Sequence, residues 1–150
     1  MNWTKSVNGL CLLAVCLGFI VAWKNRRLFL CNDVTTGENC HYPELQSHLY
    51  HADVETVMRS AVLSMTELVR WKFLSKNAIS SVVDGEVMTP IGGYVDDVTV
   101  YCLSESAHVT RAIIHSRSRV GRADLGMNAA HIAELQKSMD DRLMNYSALK

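Results

Sequence analysis

The residues best equipped for chemistry lie close together, in the segment from residue 116 to residue 128. This segment carries hydroxyl, guanidinium, carboxylate and amide side chains together with two glycines: Ser116, Ser118, Arg119, Gly121, Asp124, Gly126 and Asn128. A guanidinium and hydroxyls beside the N-terminus of a helix can bind an anion or a lipid headgroup, because all of these groups donate hydrogen bonds. The same residue types also favour a rigid corner, since glycine accepts positive φ and Asp or Asn bonds nearby backbone amides. Both interpretations are open at the level of the sequence.

Two adjacent carboxylates, Asp96 and Asp97, lie in a segment whose composition predicts a β-strand. Successive side chains of a strand point to opposite faces of the sheet, so these two are not expected to act as a catalytic acid–base pair. Either of them can reach Arg119 if the two strands are neighbours. Such an Arg–Asp pair would fix the register of the strands.

A metal site can be imagined from one group of potential ligands: Cys40, His41, His48 and His51. The spacing of His48 and His51 places both side chains on one face only in a helix, and the predicted helix begins after them, at Asp53. We therefore predict no metal site and expect exposed polar histidines in a loop.

Signatures of catalysis are also missing from the sequence. His108, His115 and His131 are isolated, and a surface or core role is expected for each. The G-x-S-x-G pattern of hydrolases, the phosphate-binding P-loop and the dinucleotide fingerprint are all absent. The sequence therefore predicts neither an enzyme activity nor a cofactor.

Among the five cysteines, only Cys31 and Cys40 have a spacing that suggests a joint role, because they flank a polar loop. They could form a disulfide or remain two thiols in a loop, and the sequence leaves both alternatives open. Cys11 and Cys16 lie in an apolar segment, where cysteine packs as a small hydrophobe, and Cys102 lies in a predicted strand.

An apolar segment near the N-terminus, residues 6–23, contains no charged residue and is bracketed by Trp3 and Trp23. Twenty residues of helix span about 30 Å, the thickness of the hydrocarbon core of a bilayer. Tryptophan at both ends and the basic residues within 24–27 are typical of membrane interfaces. A cleaved signal peptide fits less well, since it would carry its heavier charge before the apolar run. The segment therefore predicts one N-terminal transmembrane helix.

One face of this predicted helix carries a small residue every four positions, at Ala14, Gly18 and Ala22. Such a stripe lets a second helix approach closely, and we interpret it as a packing surface for another membrane-protein subunit. Three small residues in register can also arise by chance, because Gly and Ala are common in membrane helices.

Charge is distributed unevenly along the chain. The whole sequence is neutral, but its first 32 residues carry four basic and no acidic side chains, whereas the remainder carries 11 basic and 15 acidic ones. An acidic domain binds nucleic acid poorly, because that binding depends on neutralising phosphates. Nucleic acid is therefore not an expected partner.

Apolar periodicity predicts the elements that position these side chains. After an N-cap at Asp53, apolar residues recur at helical spacing over 54–65, and a second helix begins near Asn128, whose side chain is expected to cap it. Five strands are predicted between the helices, at residues 67–76, 78–83, 86–91, 94–103 and 109–118. Asp84 and Gly85 are expected to form a hairpin turn. Helices packed on an antiparallel sheet define an α+β fold.

The predicted architecture is therefore α+β, with one N-terminal transmembrane helix followed by a small domain whose antiparallel sheet is flanked by two helices. Residues 1–27 form the anchor and its basic flank, residues 28–52 an irregular linker, and residues 53–150 the α+β domain. The linker is predicted from its low periodicity.

Residues 116–128 resemble the signature S-x-S-R-x-G-x-x-D-x-G-x-N of an uncharacterised family, the domain of unknown function 1499. Residues 94–98 are similar to its F-V-D-D step, and residues 39–40 to the second half of its C-P-x-S-P-N-C segment, with a longer gap after Cys31 and no proline there. The resemblance covers roughly residues 31–143 and implies no reaction. Many family members are exported or lumenal, which implies the oxidising side of a membrane, whereas the basic flank favours the opposite side.

Two functional hypotheses follow from these observations. The first is a single-pass accessory subunit of a larger respiratory or photosynthetic complex, in a mitochondrial inner or thylakoid membrane. Its partners would be lipid and other membrane-protein subunits, contacted through the helix and the domain surface. The second is a membrane-anchored module that binds a lipid headgroup or a small anion at Arg119.

Overall fold

The computed structural model describes residues 31–37 and 42–148, in which two helices pack on one face of an antiparallel sheet. The elements follow the order β1 (Asp33–Thr35), β2 (His48–Tyr50), α1 (Val54–Glu67), β3 (Trp71–Asn77), β4 (Val82–Met88), β5 (Val95–Ser106), β6 (Val109–Ser118) and α2 (Met127–Ala148). β1, β6, β5, β4 and β3 lie side by side in that order, and β2 also pairs with β6. β1 lies opposite residues 115–117 and β2 opposite residues 110–112, so the two short strands share one edge of β6.

The hydrophobic core lies between the sheet and the helices. Alternate residues of β4, β5 and β6 point inward, and this inward set is mostly apolar: Val83, Val87, Val98, Val100, Ala112 and Ile114. The helices cover them with a second set of buried side chains: Val57, Met58, Ala61, Met65, Ile132, Leu135 and Met139. Each large apolar side chain buried in this way stabilises the fold by about 1.5–3 kcal/mol. This burial holds both helices on the same face, which we call the inner face.

α1 begins where its sequence predicts. Asp53 accepts a hydrogen bond from the backbone amide of Thr56 at 2.8 Å and so caps the helix. The apolar periodicity over 54–65 corresponds to the observed helix. After the last helical residue, Arg70 adopts a positive φ of 72° and turns the chain into β3.

The hairpin predicted at Asp84 and Gly85 is wrong, because β4 runs straight through both residues. The chain turns earlier, where the Asn77 side chain accepts a hydrogen bond from the Ile79 amide at 3.0 Å. Gly85 has a packing role instead, since a Cβ at this position would lie 2.6 Å from the sulfur of Met65. The glycine therefore lets α1 approach the sheet closely.

The segment predicted as an irregular linker, residues 28–52, takes part in the sheet. Within its described residues, β1 and β2 each form a three-residue strand against β6. Three residues are too few to show the alternation that marks a strand in a sequence. These two strands exist because β6 offers them hydrogen-bonding partners.

The predicted architecture of one transmembrane helix followed by a small α+β domain is corrected by the structure. No helix within residues 31–37 and 42–148 is long and apolar enough to cross a membrane. The predicted span, residues 6–23, lies outside the described residues, and so do Ala14, Gly18 and Ala22. The predictions of a single-pass membrane protein and of an organellar inner membrane rested on that span and are corrected with it, as is the oxidising side that the family resemblance favoured.

Candidate functional site

The segment predicted to do chemistry folds into a buried cluster that we call the polar corner, made of Asn32, Ser116, Ser118, Asp124 and Asn128. Asn128 is fully buried and joins the strands to the helix. Its carbonyl oxygen accepts a hydrogen bond from the Ser116 hydroxyl at 2.6 Å, and its amide nitrogen donates to the Ser118 hydroxyl and the Asn32 carbonyl, both at 3.0 Å. The two serine hydroxyls are therefore engaged inside the protein.

The start of α2 is capped by Asp124 and not, as predicted, by Asn128. The Asp124 carboxylate accepts hydrogen bonds from the backbone amides of Gly126 at 2.9 Å and Asn128 at 2.7 Å. Gly121 and Gly126 both have positive φ, of 97° and 82°, which glycine adopts at little cost. A carboxylate of the chain itself thus occupies the helix N-terminus, where an external anion would otherwise bind.

Arg119 lies on the outer face of the sheet, away from the helices. Its guanidinium donates to both oxygens of Asp97, at 2.6 to 3.1 Å, and to Glu86 at 2.9 Å. These two carboxylates hold the pKa of Arg119 above its ordinary value. Lys72 and Arg119 together lower the pKa of Glu86 through their hydrogen bonds. The arrangement favours the role of a staple between strands, and anion binding by these residues stays a prediction.

Asp96 points to the inner face, opposite to Asp97, and meets a residue that the sequence did not single out. Its Oδ2 lies 3.3 Å from Nδ1 of His131, although not in the orientation of a hydrogen bond. The side chains of Asp96 and His131 are 1% and 3% exposed. The His131 ring meets Trp71 edge-on at 6.0 Å, and the Trp71 indole donates to Glu134 at 2.8 Å.

The position of His131 on α2 is the sequence signal that could have identified this buried pair. His131 follows Asn128 by three residues and precedes Leu135 by four, which is the spacing of one helix face. That face is buried on the sheet. Of the other two isolated histidines, His108 is exposed in a turn and His115 lies 3.0 Å from Asp33.

A second cluster lies where β2 faces the C-terminal half of α2. We call it the cleft, a groove of about 610 Å³ lined by the following residues: Ser47, His48, Leu49, Tyr50, His51, Asp140, Leu143 and Met144. Oδ1 of Asp140 accepts a hydrogen bond from the Tyr50 hydroxyl at 2.8 Å and lies 3.0 Å from Nδ1 of His48. Oδ2 makes no hydrogen bond with a described residue. The Asp140 side chain is 25% exposed and lines the cleft, so a ligand can reach its carboxylate.

The electrostatics of the cleft follow from these contacts. Burial and the Asp140 carboxylate raise the pKa of Tyr50 above its ordinary value, so its phenol acts as a hydrogen-bond donor. In the tautomer that carries its proton on Nδ1, His48 donates to Asp140 and its Nε2 is an acceptor. Leu143 and Met144 supply an apolar wall. The cleft therefore offers acceptors beside an apolar surface, a combination typical of ligand sites.

The predicted disulfide is not found among the described residues. Cys31 and Cys102 are not joined to each other, and Cys40 lies outside the described residues. Cys102 points into the core from β5, and burial raises the pKa of its thiol to about 12. Within the described residues no group of three His, Cys, Asp or Glu side chains could hold a metal ion.

Comparison with known proteins identifies one family. The model of the family described as protein of unknown function (DUF1499) matches residues 28–139, most of the chain, which confirms the resemblance based on residues 116–128. No curated protein matches the sequence.

Several solved structures resemble the chain at low identity. The protein TTHA0849 from Thermus thermophilus is 11% identical, with a TM-score of 0.41 over 77% of this chain and 99% of its own. A norcoclaurine synthase point mutant from Thalictrum flavum is 6% identical, with a TM-score of 0.47 over 77% of this chain and 95% of its own. A START superfamily protein from Mycobacterium smegmatis is 8% identical, with a TM-score of 0.45 over 76% of this chain and 98% of its own.

Proposed function

This chain belongs to the family described as protein of unknown function (DUF1499), and we propose that it is a binding module whose ligand occupies the cleft. The ligand has an apolar body and a head that donates hydrogen bonds, most favourably a cation. Asp140 binds the head, while Leu143 and Met144 contact the body. The module is not an enzyme in this proposal, in line with the sequence-based prediction.

The observation that carries this proposal is the state of the Asp140 carboxylate. Its Oδ1 is held by Tyr50 at 2.8 Å and by His48 at 3.0 Å, so the group has one orientation. Its Oδ2 is directed to no described donor. A fixed carboxylate with one open oxygen prefers a ligand that carries a positive charge, since hydrogen bonds between charged groups are the strong ones.

The size and lining of the cleft also support a ligand site. Its volume of about 610 Å³ falls within the range of roughly 300–1,000 Å³ that is common for small-molecule sites. Met144 is 69% exposed beside it. A large apolar side chain exposed next to a fixed charge fits a ligand that contributes both an apolar and a polar part.

In this proposal the ligand site lies away from Arg119 and prefers the opposite charge. The Arg119 guanidinium is already paired with Asp97 and Glu86, so an anion would have to compete with two carboxylates. The predicted accessory role in a larger complex stays a prediction. It is compatible with the cleft if the bound group belongs to another protein.

The test uses three probes with the same six-carbon chain and different heads: hexylamine, hexanol and hexanoate. Binding to the full chain is measured by ligand-observed NMR. We expect hexylamine to bind most tightly and hexanoate least. Asp140→Asn should weaken hexylamine binding about tenfold, because a charge-assisted hydrogen bond contributes roughly 1.5–3 kcal/mol, and should leave hexanol binding unchanged.

Asp141→Asn is the matched control, since Asp141 is the next residue of α2 and does not line the cleft. It removes the same charge from the same helix. Equal binding of all three probes, or equal losses in the Asp140 and Asp141 variants, would count against the proposal.

A further inference from the structure

β2 has one hydrogen-bonding edge without a partner among the described residues. It pairs with β6 through His48, Leu49 and Tyr50, and no other strand within residues 31–37 and 42–148 lies on its opposite side. The unpaired edge of a strand presents backbone N–H and C=O groups that an extended segment can bind.

The cleft lies along this edge. One wall is formed by five consecutive residues, 47–51, and the other by Asp140, Leu143 and Met144 of α2. Three of these residues, those of β2, are extended and span about 10 Å. A groove with a strand edge on one side and a helix on the other therefore fits an extended peptide better than a rounded molecule.

The opposite edge of the sheet shows how this protein protects a strand. β3 carries Lys72 and Lys76, and its pairing with β4 shifts register between Phe73 and Ser75. Lysines and bulges are devices that prevent a second strand from pairing with an edge. β2 carries no lysine and no bulge, although its length of three residues is itself a form of protection, and Leu49 is half exposed on it.

The side chains beneath the edge select the chemistry of the peptide. His48 and Tyr50 point towards α2 and bond Asp140, whereas Leu49 points to the other face of the sheet. A peptide paired with β2 alternates in the same way. Its inward residues meet Asp140 and the apolar pair Leu143 and Met144.

We propose that the partner is an extended peptide segment of another protein that pairs with β2 and places a Lys or Arg side chain on Asp140. This inference rests on the proposed function, because it uses the same cleft and the same carboxylate. It adds that β2 binds the backbone of the ligand. The side chains of the ligand then alternate, with apolar residues two positions before and two positions after the cationic residue.

The probe is the acetylated and amidated pentapeptide Val-Thr-Lys-Thr-Val, whose first, third and fifth residues share one face. Two variants carry N-methyl groups, one on the amides of the odd residues and one on the amides of the even residues. Only one of these two sets of N–H groups can face β2 in a strand pairing. We expect one methylated variant to lose at least tenfold in affinity and the other to bind nearly as well as the parent.

Replacing the lysine of the probe by norleucine tests the charge. We expect a loss of about tenfold with the unmodified chain and no further loss with Asp140→Asn, because both changes remove the same ion pair. Asp141→Asn should bind the parent peptide normally, and its folded NMR spectrum serves as the reference for the Asp140 variant.

The outcomes separate this inference from the proposed function. If hexylamine binds at Asp140 but both methylated peptides bind as well as the parent, backbone recognition is wrong while the cleft remains a ligand site. If neither hexylamine nor the parent peptide binds, both proposals fail. If the chain self-associates through β2 and this association excludes the parent peptide, a second copy occupies the edge and the peptide proposal is overturned.

Discussion

Two histidine–aspartate pairs of this protein use the same chemical groups in opposite surroundings. The sealed pair, Asp96 and His131, lies between α2 and the sheet with side chains 1% and 3% exposed. The open pair, His48 and Asp140, lies in the cleft with side chains 37% and 25% exposed. The atoms are 3.3 Å apart in the first pair and 3.0 Å in the second. Access to solvent, and not residue type or distance, therefore separates an architectural pair from a candidate binding site.

The hydrogen bonds of the two pairs support the same distinction. Asp140 holds a third group, the Tyr50 hydroxyl, and its other oxygen meets no donor among the described residues. In the sealed pair both imidazole nitrogens and Oδ2 of Asp96 lack a hydrogen-bond partner among the described residues. Buried polar atoms in this state make the sealed pair sensitive to any change in its neighbours.

The largest expected effect comes from removing the carboxylate of each pair, at Asp96 and at Asp140. Asp96→Ala should lower the free energy of unfolding by about 3 kcal/mol, because removing one member of a buried pair leaves the other without compensation. Asp140→Ala should lower it by about 1 kcal/mol, since water can replace the carboxylate in the open cleft. Urea unfolding at neutral pH measures both values. Equal losses would show that the distinction between the pairs is wrong.

The next largest effect concerns the polar corner, which is buried between the sheet and the start of α2, as the sealed pair is. Asn128→Ala should lower the free energy of unfolding by about 2 kcal/mol, because it leaves the buried hydroxyls of Ser116 and Ser118 without their partner. Asn77→Ala, at an exposed turn, is the control and should cost less. A loss at Asn128 no greater than at Asn77 would argue that the corner does not hold α2 on the sheet.

The pH dependence of stability follows from two buried groups, Cys102 and Tyr50. The pKa of Cys102 rises from 9.0 to about 12 in the folded chain, so its contribution is complete below pH 9 and is lost as the pH rises towards 12. The free energy of unfolding should then fall by up to about 1.4 kcal/mol per pH unit for this one group. Tyr50 acts in the same direction above pH 10, because its folded pKa is also raised.

Cys102→Ala separates these two contributions. Urea unfolding in a reducing buffer should give a shallower decline of stability between pH 9 and 10 in this variant than in the parent chain. Tyr50→Phe should change the decline only above pH 10. A Cys102 variant with the slope of the parent chain would contradict the assignment.

The smallest expected effect is at Arg119, the residue that dominated the predicted anion site. Arg119→Ala removes an exposed ion-pair cluster with Asp97 and Glu86, and exposed pairs contribute little in water. The urea midpoint should therefore fall only slightly, and the affinity for hexylamine should stay unchanged. Loss of phosphate binding without loss of stability in this variant would instead restore the anion site.

The local pattern of apolar residues predicts those helices and strands that can be recognised without knowing which elements they pack against. The periodicity over 54–65 corresponds to α1, and the β-prone run 109–118 has the bounds of β6. Alternation along a strand also separates Asp96 from Asp97, one buried and one exposed. These predictions succeed because the period of a helix or a strand is a property of the local backbone.

The failures have a different physical origin. Gly85 looked like a turn residue, but its role is set by contact with Met65 of another element. β1 and β2 depend on β6, which follows them by more than 50 residues in the chain. The resemblance to the family located the polar corner without indicating that its donors are already engaged.

The amino-acid sequence is thus enough to specify the family, the helical face of α1, the bounds of β6 and the opposite orientation of Asp96 and Asp97. Three-dimensional packing was needed to bring Asp96 to His131. It was also needed to bring together His48 and Asp140, which are 92 residues apart in the chain. Hydropathy and spacing describe which side a residue faces, whereas a pair of polar groups on distant elements is fixed by packing. The same packing seals one pair and leaves the other open, because α2 lies closely on the sheet at its start and faces the edge strand β2 along its second half.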